Sequence, residues 1–263
     1  TKEVLFKNAD LAMYKAKELG KNRYVFFDQA MDEAVRNKMM LEQDLREAVE
    51  KGEFRLWYQP LIEGDSGKIK GFEALIRWNK GSRTVMPGDF IKAAEETGLI
   101  GPIGDFVFRS ACAFAAGLSR RGYADLAVTV NLSVVQLMRS DFSEWIAANI
   151  KAAGVEPFCI GLEITESVLM DSLEANVEKL EAVRRLGVKI YLDDFGTGYS
   201  SLRYLRQLPV DVIKIDKSFT DDIGSVGDDK ELAGSIIALI HQAGLRAVAE
   251  GVENEHQMKK KKK

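Results

Sequence analysis

The sequence predicts an α/β protein built on a mostly parallel sheet, either open or closed into a barrel. Three observations carry that expectation. From Phe54 onward, short β-prone runs alternate with amphipathic helical stretches, the order that builds βαβ units. Most links between the runs are long enough to hold a helix, as a parallel crossover requires. The 263 residues are 46% hydrophobic and 29% charged, which allows a sizeable core in one or two domains.

In chain order, residues 1–28 read as a helix ending at Gly20 followed by a short strand, "RYVFF". One helix and one strand cannot bury a core alone, so this stretch either caps the main domain or ends a preceding one. Residues 30–51 form an amphipathic connecting helix with Val35, Met39, Leu41, Leu45 and Val49 near helical spacing, and Gly52 closes it. Seven strands are expected after it: "FRLWYQPLI", "IKGFEALIRW", "AVTVNLS", "IGLEITES", "KIYLDDF", "VIKID" and "RAVAEGV". The first two are joined only by "EGDSGK", too short for a parallel crossover, so they pair as an antiparallel hairpin. The later links hold helical patterns such as "SEWIAANIKAAG" and "EANVEKLEAVRRLG".

Composition excludes several classes of function. A net charge of -3 gives no basic face for duplex DNA or RNA. The cysteines, Cys112 and Cys159, lack CxxC spacing and sit in apolar surroundings, as buried thiols of a reducing, cytoplasmic setting do. His241 and His256 are the only histidines, so a His-rich metal site is ruled out. No apolar run nears the roughly 18 residues of a membrane span, and no signal peptide opens the chain. The terminal run Lys259 to Lys263 reads as an artefactual tail.

Alternate side chains of a strand face opposite ways, and reading the strands at that period isolates one polar set. Glu73 and Arg77 oppose Phe72 and Ala74; Thr129, Asn131 and Ser133 oppose Val128, Val130 and Leu132. Glu163 opposes Leu162 and Ile164; Asp193 opposes Leu192; Lys214 and Asp216 oppose Ile213 and Ile215; Glu250 stands in an otherwise apolar run. Each alone would pass for a solvated or capping residue. If the strands are parallel, all converge at one end of the sheet, where barrel active sites lie. So many carboxylates are tolerated together only beside cations, and oxygen donors without His or Cys suit Mg²⁺ or Mn²⁺ rather than Zn²⁺. Asp193 and Asp194 would then both turn inward, one carboxylate bridging two cations roughly 3.5–4 Å apart. "GTGYSS" matches neither a P-loop nor a dinucleotide fingerprint.

In order along the chain stand "YQP", "EALIRW", "NLS", "EITES", "DDFGTGYSSL", "IKID" and "AEGVE". Together, from about Met40 to Met258, they closely resemble the EAL-domain phosphodiesterases, bacterial enzymes that hydrolyse cyclic di-GMP to linear pGpG. The resemblance implies a modified (β/α)8 TIM barrel whose first strand is antiparallel. That family continues into an eighth strand after the last motif, so the expectation is a barrel truncated before its eighth strand, with exposed edges that invite mispairing. "ADLAMYKAKELGKNRYVFF" looks like the end of a GGDEF (diguanylate cyclase) domain. The implied layout is a GGDEF remnant over 1–29, the connecting helix over 30–51, the EAL domain over 52–258 and the tail over 259–263.

Carried over position by position, the resemblance implies two Mg²⁺ or Mn²⁺ ions. Glu73, Asn131, Glu163 and Asp193 match the ligands of the first, and Asp193 with Asp194 serves the second. Lys214 matches the lysine near the attacking water, Glu250 the base or water-orienting glutamate, and Glu166 the anchor of the "FGTGYSS" loop. Gln59, Arg77 and Asp216 match substrate-side positions, and Glu253 a supporting one. Isoleucine neighbours and nearby cations should depress the Lys214 pKa. The implied partners are cyclic di-GMP, upstream GGDEF and sensor domains that could anchor a longer parent protein at a membrane, and a second EAL domain in a homodimer. The alternative is a catalytically silent cyclic di-GMP receptor or regulatory module.

Overall fold

A computed structural model of the chain describes residues 1–170, 173–195, 208–221 and 230–253. It divides into two compact units: Thr1–Phe54 with Trp78–Leu99, and Arg55–Arg77 with Ile100–Lys263.

In the first unit, helices α1 (Lys2–Glu18) and α2 (Gln29–Lys51) are joined by a Lys7–Asp32 ion pair at 2.7 Å. Asp28 caps α2 by accepting from the Ala30 N–H, and Gly52, at φ 64°, ends it in the left-handed conformation that glycine adopts without penalty. Leu45 and Ala48 of α2 are fully buried, as is Phe90. The Phe54, Trp78 and Phe90 rings lie 5.8–6.2 Å apart, and Trp78 Nε1 donates to Glu53 Oε2 at 3.0 Å. The expected "RYVFF" strand does not form. Residues 19–28 carry no strand, Lys21 and Asn22 take positive φ, and Tyr24 and Phe26 are more than four-fifths exposed. The physical reason is the lack of a partner: among the described residues no strand runs beside it, and an unpaired extended segment leaves its ladder groups to water.

Strands β1 (Phe54–Ile62) and β2 (Ile69–Lys80) run from the first unit into the second and are neighbours in the sheet. Glu63 N–H donates to Lys68 C=O at 2.8 Å, closing the six-residue link as a hairpin turn. A three-residue strand, β3 (Arg83–Val85), pairs antiparallel with the end of β2 after a turn at Gly81 and adds to the seven strands expected. A short helix, α3 (Ile91–Glu96), comes after it.

The second unit carries the parallel sheet. After β2 come β4 (Ala127–Asn131), β5 (Ile160–Thr165), β6 (Lys189–Phe195), β7 (Val212–Ile215) and β8 (Arg246–Ala249), each parallel to the one before. The crossovers hold α4 (Ile100–Arg120), α5 (Val134–Leu137), α6 (Phe142–Ala153), α7 (Glu166–Met170), α8 (Leu173–Arg185), α9 (Lys217–Asp221) and α10 (Lys230–Gln242). The seven expected strands are thus β1, β2 and β4–β8, in sheet order β1-β2-β4-β5-β6-β7-β8. Val128, Val130, Leu162, Ile164, Ile190, Leu192, Ile213 and Ile215 form the apolar core face and are all buried, the β-branched and leucine-rich composition expected of strands covered by helices. On the side of β1 and β2, Tyr58 stacks on Phe114 of α4 at 3.7 Å, and Phe72 meets the same ring edge-on.

Four strands end earlier than the apolar patterns suggest, and after three of them the next residues become helix caps or starts. Ser133 forms a capping box with Gln136, Glu166 opens α7, Asp216 caps α9, and β8 stops at Ala249. Among the described residues no helix is long and apolar enough to cross a membrane.

Candidate active site

Parallel register brings the polar residues to the carboxyl ends of the strands. Glu73 lies opposite Thr129, Asn131 opposite Glu163, Thr165 opposite Asp193, and Lys214 opposite Val248, two residues before Glu250. Because alternate residues share a face, Glu73, Asn131, Glu163, Asp193 and Lys214 point to the same side, away from the Val/Ile/Leu core.

At the centre stands the Lys214 ammonium, 2% exposed. Its Nζ lies 2.6 Å from Glu163 Oε2, 2.7 Å from Glu250 Oε1, and 3.2 Å from both Glu73 Oε2 and Asp193 Oδ2. Asn131 Nδ2 donates to the other Glu73 oxygen at 3.0 Å. Burial alone would lower the lysine pKa, but the Glu163, Glu73 and Asp193 charges outweigh it and hold the ammonium above the ordinary lysine value. Set against these acids alone, the shift is opposite in sign to the depressed pKa expected from isoleucine neighbours and bound cations. Glu163 is pushed up to about 7, chiefly by burial and further by Glu73, against the pull of Lys214. Burial also raises Glu250 against the same pull.

Asp193 and Asp194 are adjacent yet do not simply alternate. Asp194 adopts φ 54°, Asp193 Oδ1 accepts its N–H at 2.9 Å, and the β6–β7 register shifts between Leu192 and Phe195. A bulge of this kind re-aims side chains at a sheet rim, here at a cost of roughly 1–2 kcal/mol for a left-handed non-glycine residue. Burial, then Asp193 and Asp216, raise the Asp194 pKa.

The remaining candidates lie around this cluster. Gln59 is exposed on β1. Arg77 is buried; its Nη1 donates to Ile76 C=O, its guanidinium lies 5.0 Å from the Trp57 ring centre, and its Nε has no partner among the described residues. Asp216 Oδ1 accepts from the Ser218 N–H and hydroxyl, bonds that lower its pKa. Glu253 pairs at the surface with Lys217, and Glu166 begins α7 directly after β5. The loop that Glu166 is expected to anchor, from Gly196 onward, lies outside the described residues, as do residues 254–263 with the lysine tail.

Two further residues shape the site without standing among the sequence candidates. Thr129 is fully buried, and its hydroxyl is close enough to the Glu163 carboxyl to favour the ionised form. Yet among the described residues neither that hydroxyl nor Glu163 Oε1 makes a well-formed hydrogen bond. Its place two residues before Asn131 is the signal that the sequence offers. Gly161 is the second: a Cβ there would sit 2.6 Å from the Tyr191 ring and 2.8 Å from the Thr129 methyl, so only glycine leaves room beneath Glu163.

Such a set can hold hard cations. Its donors are carboxylate and amide oxygens, and a buried Glu163 oxygen has no partner among the described residues. Among the described residues no three acids already converge as a ready metal cage; four of them turn to the ammonium instead.

The chain thus carries a mostly parallel α/β sheet that opens on a hairpin, with an acid–lysine cluster at the carboxyl edge of its strands. The chain belongs to the EAL domain family, which matches residues 42–263. It is 39% identical over 258 residues to the bifunctional diguanylate cyclase/cyclic di-GMP phosphodiesterase MucR of Pseudomonas aeruginosa, covering 98% of this chain and 38% of that protein. It is 36% identical over 251 residues to the cyclic di-GMP phosphodiesterase PdeR of Escherichia coli, covering 95% and 38%. The solved PaMucR phosphodiesterase in complex with c-di-GMP superposes with a TM-score of 0.80 at 38% identity, over 84% of this chain and 90% of that one. The α/β fold with its mostly parallel, curled sheet therefore matches the EAL TIM-barrel structures. The chain spans about a third of the length of the curated relatives it matches.

Proposed function

We propose that this chain is a metal-dependent phosphodiesterase that hydrolyses cyclic di-GMP to linear pGpG. The observation that carries the reading is the convergence of Glu73, Glu163, Asp193 and Glu250 on Lys214 at the carboxyl edge of the sheet. It is supported by relatives named cyclic di-GMP phosphodiesterases. Glu73, Asn131, Glu163 and Asp193 would hold one Mg²⁺ or Mn²⁺, and Asp193 with Asp194 a second. When bound, the ions supply Lewis-acid stabilisation on phosphorus oxygens and acidify water.

The chain's own residues do the rest. Lys214, held charged by its acids, acts as a fixed positive charge beside the attacked phosphate rather than as a base. Glu250, half-buried and with a raised pKa, takes the proton of the attacking water. Arg77 holds a phosphate oxygen by charge-assisted hydrogen bonds and Gln59 a second part of the nucleotide. Asp216 orients the segment between β7 and α9, Glu166 the loop after Asp194, and Glu253 steadies α9 through Lys217.

Residues 1–29 are read as the remnant of a GGDEF domain, and the setting as cytoplasmic, with upstream domains and a homodimer as further partners. Incubation with cyclic di-GMP and Mg²⁺ or Mn²⁺ should release pGpG, and Glu73→Ala should abolish release. Absence of turnover with either metal overturns the proposal. The alternative is a binding-only cyclic di-GMP receptor; rapid metal-dependent turnover disposes of it.

A further inference from the structure

The four ion pairs of Lys214 use the very oxygens that metal binding would need. Glu73 Oε2, Glu163 Oε2 and Asp193 Oδ2 all contact Nζ within 3.2 Å, and Mg²⁺ requires its oxygens at about 2.0–2.1 Å in near-octahedral array. Each carboxylate oxygen has lone pairs for more than one partner, but an ammonium held within 3.2 Å of all three repels a divalent cation brought to the same oxygens. When all are ionised, four carboxylates against one ammonium leave an excess of three negative charges, in a site where Glu163 is 1% and Lys214 2% exposed. Without a cation such a cluster repels itself.

The geometry points to Lys214 as an internal counter-cation that holds the ligand acids together in the metal-free protein and is displaced from them when a divalent cation binds. The direction of its departure is also set. Glu250 is the one acid of the four outside the proposed ligand set, and its 2.7 Å contact with Nζ survives if the ammonium withdraws from the other three. The four-carbon lysine stem permits that movement without shifting β7. The displaced lysine therefore arrives paired with Glu250, assembling the fixed charge and the proton acceptor together, so that metal loading and completion of the catalytic pair are one event. The identity of the ligand set rests on the phosphodiesterase reading; the ion pairs do not.

The test compares wild type, Lys214→Met and Lys214→Arg in EDTA and in Mg²⁺. In EDTA, Lys214→Met should melt roughly 6–15 °C lower than wild type, since it strips buried acids of their partner, and Lys214→Arg should recover most of that loss. By calorimetry Lys214→Met should bind Mg²⁺ about 5- to 150-fold more tightly, the usual span of coupling between competing ligands. Equal Tm values in EDTA, or Mg²⁺ bound no more tightly, overturn the inference. If Lys214→Met fails to fold in either condition, the wild-type protein decides. Its lysine-¹⁵N spectrum in EDTA should show a protected Lys214 ammonium, assigned by its absence in Lys214→Arg, that shifts on saturation with Mg²⁺. A wild type that binds Mg²⁺ while that signal stays fixed sinks this inference alone. A wild type that binds no Mg²⁺ removes the phosphodiesterase reading and this inference with it.

Discussion

Glu163 should make the metal-free protein less stable as pH rises through neutrality. Its carboxyl is 1% exposed and pushed from an ordinary 4.5 to about 7 in the folded chain, mainly by burial. In the unfolded chain it returns to the ordinary value. A raised folded pKa means the native state binds the extra proton more readily. Its contribution is therefore fully present below about pH 4.5 and is lost as pH climbs to about 7. With those two values, linkage removes about 2–3 kcal/mol between about pH 5 and about pH 8. At 2–4 °C per kcal/mol for a chain of this size, that is roughly 5–10 °C in Tm. Surface acids complete most of their titration below this window, and Glu250 and Asp194, also raised, act with the same sign. Urea unfolding in EDTA across the window measures the slope. Glu163→Gln, which keeps the shape and carries no titratable proton, should lose most of it. Identical slopes for wild type and Glu163→Gln would refute the assignment of the pH dependence to this residue.

Further outcomes are expected elsewhere. Thr129→Val removes the hydroxyl facing Glu163 and should weaken Mg²⁺ binding about tenfold, with Thr129→Ser restoring it; equal affinities for Val and wild type reject the role. Gly251→Ala places a Cβ 2.3 Å from Lys217 Cγ at φ +63° and should cost roughly 1–3 kcal/mol in urea unfolding, so an unchanged midpoint counts against the packing described. Trp78→Phe forfeits the indole hydrogen bond to Glu53 at 3.0 Å and part of a buried ring, lowering stability by roughly 2 kcal/mol; a neutral change would show that bond to be dispensable. Cys112, pushed up to about 12 by burial, and Cys159, also buried, should resist a thiol reagent in the native protein and react on denaturation. Native labelling at either site would contradict their burial.

How much of such a site a sequence reveals depends on which constraints are local. The face a strand residue takes is local, because alternation repeats every two residues, and so Glu73, Asn131, Glu163, Asp193 and Lys214 can be grouped from the sequence alone. The end of a strand is less so: Ser133 and Asp216 continue the pattern but are captured as caps by residues two or three positions on, and β4 and β7 stop short of them. The neighbours of a side chain across the sheet are not local at all. Lys214 is flanked along the chain by Ile213 and Ile215, which by themselves argue for a depressed pKa. The acid at 3.2 Å that helps reverse the sign, Glu73, is 141 positions away. Only register makes them neighbours, and register is set by four successive parallel pairings and a bulge at Asp194. The motif resemblance leads to the proposed ligand set because it encodes that register without stating it. It leaves unstated that one side chain can stand where the cation is to go, since the matched positions name the residues and carry no account of how four carboxylates stay together before a metal arrives.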